Sequence, residues 1–247
     1  MINDLTLLSG NEIPFVELGV SIHNPTIKEI AYVGEENFFI GRDLLNFSKD
    51  ELEEQDKVNL KDKTDFDILI AILREHNAVM KKNRDCVLMV LALLFPTLQI
   101  NFEEQAIALT NEATKETYKI DNSNFDVFKK TFNQIFNFGL DKGAQSEFNP
   151  SGELARKIAA KLKKGRQKVQ EAKHTNKKIA IISRYVSILA VGEHKDMNEL
   201  LNYTVYQLFD EFKRYELKMG YDIYLQARMA GAKDLKEIED WMQDIHE

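Results

Sequence analysis

The chain has 247 residues, 44% of them hydrophobic and 30% charged, with a formal charge of −7. This is the composition of a soluble globular protein with material for a sizeable core, and only four prolines and eleven glycines speak against long disordered tracts. The acidic balance argues against a nucleic-acid surface over the whole chain, and a single cysteine excludes an internal disulfide.

Met1–Phe15 lacks the basic start and apolar run of a secretory signal. Phe15–Ile22 alternates weakly, interrupted by Gly19, and predicts a short strand or an extended entry. After the Asn24-Pro25 turn, Thr26 with Glu29 three residues on is a capping-box signature. It predicts a short helix ended by Gly34. A second helix holds Phe38, Phe39, Ile40, Leu44, Leu45 and Phe47. Ser48–Lys63 is charge-rich but carries no histidine or calcium-loop spacing, so it reads as a solvated helix or linker.

Phe66, Leu69, Ile70 and Leu73 recur at helical spacing within Thr64–Met80. His76 follows them without a partner four residues on, and reads as a boundary histidine rather than a metal ligand. Lys81–Arg84 is expected to be a basic junction, and Cys86–Phe95 a buried helix or strand ended by Pro96. Cys86 lies in apolar company and reads as a structural thiol. Leu98–Phe102, Ala106–Leu109 and Thr117–Ile120 are spaced for two or three antiparallel strands. The next helix, Phe125–Phe138, lines up Phe125, Phe128, Phe132, Ile135 and Phe136.

Asn149-Pro150-Ser151-Gly152 marks the expected internal boundary. It divides a mixed α/β region, residues 1–148, from a helical region, 149–247; one continuous domain is the alternative. From Ala155 to Lys178 there are ten Lys/Arg and one acid, a net of +9 (10 − 1), which leaves −16 for the rest of the chain (−7 − 9). Three readings fit this asymmetry: a solvated helix, a surface for an acidic protein or the chain's own acidic remainder, or a nucleic-acid surface. No aromatic residues interleave the basic run, which disfavours the third.

Ile179–Val191 is apolar enough for a buried helix, but Ser183, Arg184 and Ser187 interrupt it, so no membrane span is read. Asp196 with Glu199 predicts a further helix start. Tyr203–Ala230 forms one long helix or two meeting near Gly220, with Val205, Leu208, Phe212, Tyr215 and Met219 on one face. Asp234 with Glu237 opens a last helix, whose apolar side is Ile238, Trp241, Met242 and Ile245. Trp241 is read as the anchor of that helix. No internal repeat is read, and no nucleotide-binding, zinc-protease or nucleophile-elbow motif is present. The expected fold class is α+β, mostly α. A small antiparallel β element lies near residues 98–120, and the C-terminal half is helical.

Several phrases resemble a family of tail-module proteins from phages and prophages of Gram-positive bacteria. They are Asn24-Pro25-Thr26-Ile27-Lys28-Glu29-Ile30 with Gly34-Glu35, Asn149-Pro150 with Ala155-Arg156-Lys157-Ile158, Asn202-Tyr203-Thr204-Val205-Tyr206-Gln207-Leu208, Ala230-Gly231-Ala232, and Trp241. The resemblance implies a tail assembly chaperone. Such a protein is non-enzymatic, uses no cofactor or metal, and coats the tape-measure protein in the host bacterial cytoplasm. A permanent virion subunit is the alternative within the same module, and a nucleic-acid-binding accessory protein using residues 155–178 is the alternative outside it. The expected partners are the tape-measure or other tail proteins and further copies of the chain, with no membrane. The expected contact residues are Arg156, Lys157, Lys161, Lys163, Lys164, Arg166 and Lys168 in the basic segment, and Tyr206, Phe209 and Trp241 beyond it.

Overall fold

The computed structural model describes residues 2–49, 62–74, 78–136, 181–231 and 240–242. The basic segment, His76, the expected boundary near Asn149 and most of the expected last helix lie outside these residues.

A short helix opens the chain, α1 (Asp4–Ser9), started by the Asn3 side chain accepting from the Leu5 N–H and stopped at Gly10, φ 70°. The expected strand at Phe15–Ile22 is instead a hairpin. β1 (Ile13–Phe15) pairs antiparallel with β2 (Val20–Ile22), and Gly19, φ 67°, closes the turn between them. The interruption at Gly19 is therefore a reversal of the chain, made where a left-handed residue is needed.

α2 (Ile27–Val33) has the expected capping box, and Gly34 ends it. α3 (Glu35–Asn46) follows, with Phe47 just past its end. α4 (Asp65–Arg74) buries Phe66, Leu69, Ile70 and Leu73. α5 (Ala78–Leu94) runs straight through Lys81–Arg84, so that stretch is helix and not a junction. Its four polar residues lie on the turns before the buried run that starts at Cys86. β3 (Gln99–Phe102), β4 (Ile107–Thr110) and β5 (Thr117–Ile120) form the expected antiparallel meander.

α6 (Phe125–Ile135) supplies the centre of the core. Its rings stack in series: Phe125 to Phe128 at 6.2 Å between centroids, Phe128 to Phe132 at 5.8 Å and Phe132 to Phe136 at 4.8 Å. Phe66, Phe15 and Phe38 join this ladder from three other elements, and Phe95 joins it from just past the end of α5. Each fully buried ring contributes roughly 1.5–3 kcal/mol. α3 and α5 pack closest at Gly41. A Cβ there would lie 2.7 Å from Val90 Cγ2 and closer still to the Cys86 carbonyl oxygen.

The helical C-terminal part consists of α7 (Ile181–Gly192), α8 (Met197–Leu201) and α9 (Val205–Met229). Asp196 caps α8 as expected. α9 is one helix through Gly220, about 37 Å long at 1.5 Å per residue. Ile182, Val186, Leu189, Leu200, Val205, Tyr206, Leu208 and Phe209 belong to the same core cluster as the phenylalanine ladder. Among the described residues, no helix is long and apolar enough to cross a membrane.

Candidate interaction surface

Two of the phrases that carry the family resemblance meet in space. Thr26 and Thr204 form an isolated antiparallel bridge, and the Ile27 N–H donates to the Tyr203 carbonyl at 2.8 Å. Each threonine begins a helix with the same device. The Thr26 Oγ1 accepts from the Glu29 N–H while the Glu29 carboxylate accepts from the Thr26 N–H. Thr204 and Gln207 repeat the exchange at α9. The local sequences Asn24-Pro25-Thr26-Ile27-Lys28-Glu29 and Asn202-Tyr203-Thr204-Val205-Tyr206-Gln207 share Asn-x-Thr-apolar-x-Glu/Gln. This is a short internal repeat that a search for long periods passes over, and it places two helix starts back to back.

The joint is buried. Thr204 is 2% exposed, and so is Asn24, whose carboxamide has no hydrogen-bond partner on either atom among the described residues. Burial raises the Glu29 pKa, but bonds from Thr26 and from the His23 ring outweigh it and hold the carboxyl below its ordinary 4.5. Gln207 also donates to the Leu8 carbonyl at 2.6 Å, tying α1 to the same point. A second tie joins the two regions at Glu35. Its carboxylate accepts from the Ile182 N–H at 2.6 Å and from the Ser183 N–H and hydroxyl, capping α7 from a distant part of the sequence.

Lys195 links the α7–α8 connection to α9. Its ammonium bonds to Glu211 and, at 2.7 Å, to the Tyr203 hydroxyl. Burial alone would lower its pKa, but these two partners raise it, so the group stays charged. Burial likewise raises the Cys86 thiol, which stays protonated against Asn37 Oδ1, as a structural cysteine does. Among the described residues, no group of three or more His, Cys, Asp or Glu side chains is placed to hold a metal ion. A cleft of about 210 Å³ opens beside β2, lined among others by Glu12, Ser21, His23 and Tyr118. It is below the roughly 300 Å³ at which small-molecule pockets begin.

The expected contact residues fare unequally. Tyr206 and Phe209 are both 3% exposed. The Tyr206 hydroxyl donates to Asp4, and the Phe209 ring packs edge-on against Tyr185 at 5.1 Å. Their surface is covered by this chain itself, because the first two turns of α9 are its docked end. Trp241 is half-buried, and its carbonyl accepts from Arg214 Nη1 at 3.1 Å, which sets this residue beside α9. Arg156, Lys157, Lys161, Lys163, Lys164, Arg166 and Lys168 lie outside the described residues.

The apolar surface that α9 does offer lies further along. The seam of Val205, Leu208, Phe212 and Tyr215 is filled by α7. Tyr185 stacks on Phe212 at 3.6 Å, and α7 stops at Gly192 against Tyr215. The stripe continues past that end into Met219 and Ile223, which are 42% and 61% exposed, and Met229 is 88% exposed. Helical periodicity made Met219 visible in the sequence. That the cover ends at Tyr215 depends on where α7 stops, which periodicity does not report.

Residues 173–246 match the family model described as the YomV second domain. The match spans α7, α8 and α9, and it supports a phage-type protein, the coarser part of the resemblance drawn from the sequence. No curated protein and no solved structure matches the chain.

Proposed function

We propose that this is a non-enzymatic phage tail morphogenesis protein, a tail assembly chaperone that binds the tape-measure protein in the host cytoplasm. The observation that carries the reading is the distal part of α9. A helix anchored at one end by a buried joint extends beyond its packing partner and presents methionine and isoleucine to solvent. Methionine suits a surface that must grip varied apolar client segments, because it is flexible and polarisable. An apolar helical face recognises other helices at i, i+3 and i+4 spacing, as a long helical client requires. The phage-type match over residues 173–246 supports the same reading, since it falls on the elements that build this face.

The test is co-expression with the tail-module proteins, purification through this chain, and mass by light scattering. A soluble complex with the tape-measure protein is the expected result. A clean single species that retains no tail protein would overturn the reading. Recovery of the chain in purified virions would replace it with a structural subunit.

A further inference from the structure

The cleft beside β2 has no part in the tail-assembly reading, yet three of its polar groups present the same chemistry. It opens between the β1–β2 hairpin, the turn that follows α5 and the start of β5. Continuing the Ile13–Ile22 register by one step sets Glu12 opposite His23. The His23 Nε2 lies 3.1 and 3.2 Å from the two Glu29 carboxylate oxygens. A carboxylate only accepts, so in the neutral ring Nε2 carries the proton and Nδ1 is an acceptor. The Tyr118 hydroxyl donates to Glu116 at 2.9 Å, which leaves its oxygen to accept. Glu12 adds an exposed carboxylate that pairs with no cation among the described residues. Asn111 contributes a spare donor, its Nδ2, because its Oδ1 already accepts from the Ala113 and Thr114 N–H groups. No lysine or arginine lines the cleft.

We propose that this cleft binds an alkylammonium group, the end of one lysine side chain. Acceptors on His23, Tyr118 and Glu12, with the unpaired charge of Glu12, call for a ligand that carries several donors and a positive charge. An ammonium does, whereas a carboxylate or a phosphate brings acceptors and the wrong sign. Val20, Pro96 and Leu98 line the same space and suit the methylene stem, which long cationic side chains lay along apolar surface. At about 210 Å³ the cleft holds one side chain rather than a whole cofactor. A metal ion fits less well, because no group of three or more His, Cys, Asp or Glu side chains converges among the described residues. Two sources offer the same chemistry: a lysine of another protein, or a lysine of the chain's own basic run, Ala155–Lys178. The inference does not depend on the tail-assembly reading.

The experiment uses the full chain and two probes, butylammonium and its neutral counterpart butanol. Each is titrated at about pH 8, between the ordinary imidazole and amine ranges, while nuclear magnetic resonance follows the His23 and Tyr118 rings. A saturable shift with butylammonium and none with butanol is the expected result. Glu12→Gln removes the charge at an exposed position, so it is expected to keep the wild-type circular dichroism and to weaken binding about tenfold, the loss of one charge-assisted hydrogen bond. An equal response to both probes, or an unchanged affinity in Glu12→Gln, overturns the proposal. A wild type that answers neither probe is settled by carbodiimide coupling, which joins Glu12 to an ammonium already seated beside it. A link from Glu12 to a lysine within Ala155–Lys178 supports the proposal and names the chain's own run as the source. A link to a lysine of a co-purified protein supports it and names that partner. No link, with neither probe binding, overturns it.

Discussion

Replacing Gly41 and Gly220 by alanine is one chemical change made in two helices, and the surroundings set opposite signs. Each substitution gains up to about 1 kcal/mol of helix propensity. At Gly220 nothing stands within 4 Å of the new methyl, so the gain is kept. At Gly41 the methyl would lie 2.8 Å from the Cys86 carbonyl carbon and 2.7 Å from Val90 Cγ2. The Cys86 obstruction is backbone inside a helix and yields only if α3 and α5 separate. Overpacking of this kind costs about 1–3 kcal/mol, and a rigid obstacle puts Gly41 at the upper end, a net loss of about 2 kcal/mol. At about 2–4 °C per kcal/mol for a chain of this size, thermal unfolding of Gly41→Ala is expected about 4–8 °C below wild type. Gly220→Ala is expected about 2–4 °C above it on the same scale. Scanning calorimetry at low protein concentration keeps self-association out of the comparison. If Gly41→Ala raised the melting temperature as Gly220→Ala does, the close α3–α5 contact would be refuted.

Glu35→Ala removes the cap that α7 borrows from α3, and equilibrium urea unfolding should report a loss of about 1–2 kcal/mol; an unchanged midpoint would mean that α7 needs no such cap. Asn24→Leu exchanges a buried amide without partners for an apolar side chain of similar size and is expected to raise or preserve stability. A marked loss, measured the same way, would show that the amide is satisfied in solution. Lys195→Met leaves Glu211 facing a half-buried site without its cation and should cost about 1–3 kcal/mol. The pH dependence follows from Glu29 and Asp67, whose folded pKa values lie below their ordinary 4.5 and 3.8. Their contribution is therefore present above that range and is lost as pH falls through the lower folded values. Thr26→Val is expected to destabilise at pH 7 by more than in acid, where the Thr26 hydroxyl has lost its bond to the Glu29 carboxylate but still caps the Glu29 N–H; a difference independent of pH would contradict the hydroxyl–carboxylate bond.

Much of the fold was legible because its signals are local. Thr26 with Glu29 named a helix start, the phenylalanine spacing named α6, and three short alternating runs named the meander. The Phe15–Ile22 hairpin was missed because three-residue strands are too short to show a period, although Gly19 marked the turn. α1 was missed despite Asn3 before it and Gly10 after it, a cap and a stop around three leucines. The Thr204–Gln207 box was there to be read, but a glutamine in place of glutamate hid its likeness to Thr26–Glu29. The burial of Tyr206 and Phe209 was not legible, because an aromatic stripe does not say which of its turns is covered. That information lies in α7 and α1, far away in sequence.

The Thr26–Thr204 bridge also sets an order of events at the ribosome. The strand partner of Thr26 is made 178 residues later (204 − 26). At about 5–20 residues per second, roughly 10–35 s pass between the two. Throughout that interval α2 and the β1–β2 hairpin have emerged without the helix start that completes their burial. A segment made late thus closes one made early. A nascent chain stalled before Thr204 is expected to be a substrate for proteases, whereas one released after α9 is not.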